Sequence, residues 1–341
     1  MSLINHRLPW PLVFQVLGVL VAVALIVATW QVWMLLFTAL IIAAAILPAA
    51  RLGARYRVPR GVTVLAVYVV VAGVFTLMGR LLWPALSEQW HQFIDQLPRL
   101  IDNVKGWLGD VQGFFGQWGV SAPAAKADNV QGLAAILLGN AVRVTTGAVG
   151  ILFELLAVLV VAAYLVIDAR EVGHTLLALL PTAHRPTATR LAPAVLNRIG
   201  GYVRGQIVSS IFVGILIAIA LSVIGVKYAL LIGALAAVLN IVPFVGATVA
   251  AVLATLSALN DGPVLAAVAL AVMVVCQTVE GKLLAPYFVG RATGLHALAV
   301  LLALLAGFNL AGLIGGLVAV PLLAGLWEIV RTLYVEPRRT G

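Results

Sequence analysis

The sequence predicts an all-α fold: a polytopic integral membrane protein of about eight transmembrane helices, with a re-entrant helical hairpin and an external amphipathic helical segment. Three observations carry this prediction. The 341 residues are 63% hydrophobic and only 10% charged, whereas roughly a quarter of an ordinary soluble domain is charged. Several apolar runs reach the ~20 residues that cross a hydrocarbon core. The cations gather in the short loops between those runs, where orientation signals sit. The net charge of +9 is thereby explained by topology: the expected partner is the lipid bilayer, and no nucleic acid is expected.

Residues 1–84 hold three predicted spans, at 11–29, 32–49 and 61–83. The first follows Arg7 and lacks a small-residue cleavage site before the next apolar run begins, so it reads as a span rather than a removed signal peptide. Residues 85–147 form a predicted external segment, 148–167 a fourth span and 168–205 a cytoplasmic amphipathic segment. A predicted core follows over 206–334, with spans at 206–225 and 263–280, a broken stretch at 228–260 and a final pair within 295–334. Residues 335–341 are a short tail.

Orientation follows from the cations. Loop 50–60 carries Arg51, Arg55, Arg57 and Arg60 with no acid, and segment 168–205 has five arginines against Asp168 and Glu171. Segment 85–147 has four cations and five acids. Placing both termini and the Arg-rich loops in the cytoplasm leaves 85–147 outside, and all spans then alternate.

The stretch Tyr228 to Asn260 is 33 residues without a charge, yet "NIVPFVGA" (240–247) lies within it. One straight helix of that length would run about 50 Å, too long for a ~30 Å core, and two full crossings would need ~40 residues. Both ends fall on the outer side, so two short helices that dip in and return satisfy every count. Pro243 lacks an amide hydrogen and breaks the helix. Asn240 and Gly246 are expected to tolerate the non-helical angles of the turn. Irregular backbone at membrane depth is tolerated where it lines a cavity, so this turn is expected to line one. A second stretch, 298–326, repeats the plan weakly, with a predicted break at Gly307, Phe308 and Asn309. Paired interrupted segments are a pointer to a transport pathway.

In the external segment, Leu86, Trp90, Phe93, Leu97, Leu100, Val104, Trp107, Val111, Phe114 and Trp118 recur at gaps of four and three. That is a helix seam of more than four heptads. Pro98 is expected to kink or split it. The seam suits packing between subunits or within the chain; the alternative is that its five aromatics lie in the headgroup region.

Few residues could carry chemistry. Glu154, within a predicted span, is a candidate proton site. Gln206, Ser209 and Ser210 at one span start and Gln277, Thr278, Glu280 and Lys282 at another span end are candidate polar contacts of an inner vestibule, and Asn240 and Asn309 mark the two breaks. Arg80 and Glu328 read as interfacial anchors. The lone Cys276 excludes an internal disulfide, and the dispersed His6, His91, His174, His184 and His296 suggest no metal site. No protease, esterase or phosphate-loop signature is present. Neither an enzyme nor a cofactor is expected.

The segments "GGYVRGQIVSS" (200–210), "LLIGALAAVLNIVPFVGA" (230–247), "VEGKLLAPYFVGRATGLHALAVLLALLAG" (279–307) and "GLIGGLVAVPLLAGL" (312–326) together resemble the autoinducer-2 exporter family of bacterial permeases. The match is dense over 200–330, and the first half fits in layout. The resemblance implies a multi-pass inner-membrane protein with both termini cytoplasmic, forming homo-oligomers, with a pentamer as first guess. It implies secondary transport of small molecules: export of a small polar signal of autoinducer-2 type, or sodium or lithium/proton antiport as the alternative. A membrane scaffold without transport is the reading from another class. The family's patterned residues fall at Gly205, Gln206, Pro243, Gly246, Glu280, Pro286, Gly290, Gly312, Gly315 and Pro321. This chain departs from the pattern at Gly281, where Asn is usual, and at Ala297, where Pro is usual, so substrate identity does not carry over.

Overall fold

A computed structural model describes residues 10–117, 150, 152–290 and 294–336, and every regular element among them is helical. In chain order these are α1 (Trp10–Ala28), α2 (Trp30–Arg55), α3 (Arg60–Gln117), α4 (Leu152–Ile167), α5 (Ala169–Ala178), α6 (Arg185–Val223), α7 (Ala229–Leu239), α8 (Val245–Leu259), α9 (Pro263–Val279) and α10 (Ala297–Val330). α9 runs on as a π-helical stretch, Glu280–Gly290. Among the described residues five helices are long and apolar enough to cross a membrane, or six if α4 is taken with α5, which bends 77° away from it. Large apolar side chains such as Phe75, Leu81, Leu152 and Leu305 stand exposed on them, as lipid-facing residues do. The protein is a polytopic α-helical membrane protein.

Three boundaries differ from the sequence expectation. α3 is one helix of 58 residues that passes through Pro84 and Pro98 without splitting; at about 1.5 Å per residue it far exceeds the bilayer core. A proline removes one hydrogen bond, and the rest of a long helix carries it across that gap. α6 begins at Arg185, so residues 185–205 continue directly into the predicted span rather than forming a separate segment. Finally, Gly307, Phe308 and Asn309 are helical, and the second break falls instead at Ala311 and Gly312, where φ is +56° at the glycine. A Cβ on Gly307 would run into Gly315, and one on Gly316 into the Phe308 ring. The two arms of α10 therefore fold back on each other, and only glycine permits that approach.

Small residues set the other crossings too. Gly214 of α6 faces Gly233 of α7, and a Cβ on either would lie within 2.7 Å of the other's carbonyl oxygen. Gly200 of α6 abuts the Ala44 carbonyl of α2. Pro48 has no N–H to give that carbonyl four residues before it, and the Arg204 guanidinium fills the deficit, donating to Ala44 O at 3.5 Å and Ala45 O at 3.0 Å. Around these contacts Val213, Ile217, Leu221, Ile232, Ala254 and Met273 form the largest core, joining α6 to α9.

The predicted seam is used inside the chain where its side chains are described. Phe93 is buried in this core, edge-on to Tyr228 with ring centroids 5.6 Å apart, and Leu86 packs against it. Trp90 borders a cavity of about 180 Å³ between α3 and the α7–α8 pair. Leu97, Leu100, Val104 and Trp107 lie on the helical backbone of α3, with side chains outside the described residues. Trp118 and the amphipathic helix expected before the fourth span fall outside them as well.

Candidate functional site

The broken stretch is two short helices. α7 has 11 residues and α8 has 15, about 16 Å and 22 Å of rise, each short of a ~30 Å crossing. Their outer ends meet. Lys227 Nζ lies 2.7 Å from Asp261 Oδ1, and Ser257 Oγ donates to the Lys227 carbonyl at 3.0 Å. The hydrogen bond to Asp261 holds the Lys227 amine above the ordinary lysine range. The first turn of α7 has unpaired amides by construction, and Gln89 of α3 takes one, accepting from Leu231 N at 3.0 Å. Asn260, at the end of α8, bonds Asn103 and Gln96 of the same helix. The base of the pair is thus held by α3.

The tip works differently from the sequence expectation. Asn240 sits in ordinary right-handed geometry and Gly246 lies within α8. The left-handed residue is Phe244, with φ +69°. Pro243 is in the turn, where no amide is required of it. Gly246 serves close approach instead: a Cβ there would lie 2.5 Å from Asn240 N and 2.6 Å from the Ala236 carbonyl oxygen.

That approach packs the tip tightly around Asn240, which is 0% exposed. Its amide N–H donates to Ala236 O at 2.8 Å, its carbonyl accepts from Gln206 Nε2 at 2.6 Å, and its Nδ2 donates to Glu280 Oε1 at 2.7 Å. Gln206 belongs to α6, and Glu280 is the first residue of the π-helical stretch. Such stretches are frequent at functional sites. A chain of polar contacts thereby runs from α6 through the hairpin tip to the end of α9. Two buried oxygens near it lack partners, Asn240 Oδ1 and Ser210 Oγ. Ser210 is one turn beyond Gln206 on the same face of α6.

The second break comes to the same place. Val242, of the turn, is buried together with Tyr202 of α6 and with Leu304 and Val320 from the two arms of α10; Phe308 and Leu317 pack against this cluster. Pro321 is fully buried in the second arm.

Of the residues singled out from sequence, Gln206, Asn240, Pro243, Gly246 and Glu280 are brought together. Gln277 and Asn309 are exposed, on α9 and on the first arm of α10, outside this chain of contacts. Glu154 is exposed in the first turn of α4, among the exposed Phe153, Leu155 and Leu156. Glu328, expected near a span end, has a partner within the chain. It pairs with Arg198 of α6 at 2.7 Å, the two side chains only 16% and 12% exposed. A charge leaving the aqueous layer requires such a partner. Ser209 and Ser210, read from the sequence with Gln206 as polar groups of an inner vestibule, are buried on α6; Tyr202 is the residue that the sequence reading missed.

Comparison with known proteins supplies an independent line. Residues 12–334 match the family described as "AI-2E family transporter". Three relatives are each described as a "Putative transport protein". YueF of Bacillus subtilis is 24% identical over 279 residues, 79% of this chain and 75% of its own. YrrI of the same organism is 28% identical over 274 residues, 79% of this chain and 77% of its own. YhhT of Escherichia coli is 25% identical over 268 residues, 77% of this chain and 73% of its own.

Proposed function

Because this chain belongs to the AI-2E transporter family, and is a membrane permease, we propose that it exports a small polar molecule across a bacterial inner membrane, one with the size and polarity of an autoinducer-2 type signal. No phosphate-binding loop occurs in the sequence, so any pumping draws on an ion gradient, a partner or the substrate's own gradient. The Arg-rich loops favour cytoplasmic termini, and the family resemblance favours a homo-oligomer with a pentamer as the first stoichiometry to test.

The observation that carries the reading is Asn240, a fully buried amide at the tip of a hairpin with no charged residue between its ends. From the Lys227–Asp261 base, α7 descends about 16 Å, roughly half of a ~30 Å core. A polar turn at that depth is tolerated only where protein or water satisfies it, and transporters place their sites at such breaks near the midplane. Here Gln206, Asn240 and Glu280 offer donors and acceptors, while the arms of α10 bring a second break beside the first. Rocking one set of arms against α6 would expose this polar patch to one side and then the other.

Two experiments test the proposal. Proteoliposomes loaded with a panel of small polar solutes should show protein-dependent efflux that Asn240→Leu reduces at least tenfold. Cysteines placed singly across 236–250 should react with aqueous thiol reagents near the tip. Efflux equal to that of protein-free liposomes for every solute, together with uniform protection of 236–250, would overturn the reading.

A further inference from the structure

We infer that the cavity between α3 and the hairpin is a binding site for one acyl chain of a membrane lipid, entered from the bilayer beside Trp90. The cavity holds about 180 Å³ and is lined by nine residues, all aliphatic or aromatic. Its two sides differ in exposure. Phe93 of α3, Leu231 and Ile232 of α7 and Leu253 of α8 form an inner wall, none of them more than 7% exposed. Trp90, which is 37% exposed, and the half-buried Leu235, Leu239 and Val249 form the mouth. Three residues on from Leu235 and Val249, on the same helix faces, stand the exposed Val238 and Val252. The mouth therefore opens beside lipid-facing side chains.

The chemistry of the lining selects the occupant. A water needs about two to four polar partners, and the lining side chains offer only the indole N–H of Trp90. The backbone amide of Leu231 is already held by Gln89 Oε1 at 3.0 Å. Left empty, the cavity would forfeit dispersion contacts along its whole wall. A dry apolar cavity of about 150 Å³ takes benzene, so this one has room for about six carbons or more of hydrocarbon. The lining runs from Leu231 to Leu239, two turns and about 12 Å along α7, a length that suits a linear chain better than a compact ring. Leu231 lies one turn inside the Lys227–Asp261 base, so the cavity sits at a depth where the bilayer itself supplies hydrocarbon. Trp90 stands one turn from Phe93, which meets Tyr228 beside that base, at the interfacial level where tryptophan is enriched. Gln89, Gln96 and Asn103, spaced seven apart on α3, already tie the outer end of the hairpin to that helix. An acyl chain in the cavity extends this support towards Leu239, the neighbour of Asn240.

The test uses the purified full-length protein in lipid nanodiscs doped with a phosphatidylethanolamine that carries a diazirine on one acyl chain. After photolysis, labelled positions are located by tandem mass spectrometry. We expect label on Ile232 or Leu253, which are 1% and 7% exposed and so are reached from inside the cavity, and on the exposed Phe75 of the outer surface. Val249→Phe and, from the α3 side, Ile94→Phe put a ring into the cavity. Each should lower the label on Ile232 and Leu253 at least tenfold while Phe75 changes less than twofold. Wild-type protein labelled at Phe75 but at neither Ile232 nor Leu253 overturns the assignment. So does wall labelling that persists unchanged in both variants when they melt like the wild type; if a variant fails to fold, the wild-type labelling decides alone. A small apolar diazirine that labels the wall where the phospholipid does not gives the cavity to a free hydrophobic ligand and also overturns the assignment. The readout is independent of flux, so this site and the export reading stand or fall separately.

Discussion

Replacing Gly246 by alanine tests the tip of the hairpin with a single methyl group. The added carbon would lie 2.5 Å from Asn240 N, 2.6 Å from Ala236 O and 2.6 Å from Asn240 Cβ. Comfortable separations are ~3.5–4.0 Å, so each contact is short by about 1 Å. None of the three atoms can swing away, because two are backbone and the third is fixed to it. The chain has two responses. It can hold its place and accept overpacking of ~1–3 kcal/mol. Alternatively the turn moves by about 1 Å, which stretches the 2.7 Å contact from Asn240 to Glu280 beyond hydrogen-bonding range at a loss of ~1.5–3 kcal/mol. One response relieves the other, so the two do not add, and the expected cost is about 2–3 kcal/mol. Equilibrium unfolding in mixed detergent micelles measures it, with Gly73→Ala as control, where no atom lies within 4 Å of the new carbon. If Gly246→Ala unfolds within about 0.5 kcal/mol of the wild type, a range usual for surface changes, the close approach argued here does not exist.

Three further outcomes are expected. Glu328→Gln strands the mostly buried Arg198 and should cost ~3–5 kcal/mol, with Arg198→Met added to it recovering a large part; a double-mutant cycle by the same unfolding assay reads both. Phe244→Val should lower the melting temperature while Phe244→Gly is tolerated, since φ of +69° suits glycine and is an outlier for a β-branched residue; equal melting of the two variants would remove the strain argument. Asp261→Asn should cost no more than ~1 kcal/mol, because the pair with Lys227 is largely exposed. The Lys227 pKa is raised in the folded protein, so the pair's contribution is full below the ordinary lysine range and fades only as pH rises through the raised value. Melting followed from pH 7 to 11 in wild type and Asp261→Asn should therefore converge only at the alkaline end.

The residues show where sequence reasoning reaches and where it stops. The helix break around Pro243 was legible because chain length and a missing amide act locally. The roles inside it were not: Asn240 and Gly246 were assigned to backbone freedom, while Phe244 adopts the left-handed angle and Gly246 provides clearance. The clearance at Gly246 is set by Asn240 and Ala236, which a Cβ there would meet, and that crowding is a tertiary fact the turn's own residues do not state. The second break was placed at Gly307–Asn309 by composition, yet those residues stay helical because Gly307 and Gly315 pack the two arms together about a bend at Gly312. Glu154 drew notice as a carboxylate inside an apolar run, but an apolar run says nothing about which side of a helix faces lipid. Its side chain is exposed, and Glu280, at the end of its helix, is the one held by the tip.

Composition, apolar run length and loop charge alone determined that this chain is helical and belongs in a bilayer, since lipid leaves backbone groups few other ways to be satisfied. Residue order within four segments carried the family. The meeting of Gln206, Asn240 and Glu280, from positions 34 and 40 residues apart, was decided only by tertiary structure. Those contacts depend on crossings set by Gly200, Gly214 and Gly233, where the absence of a side chain matters through the atom that comes to occupy its place.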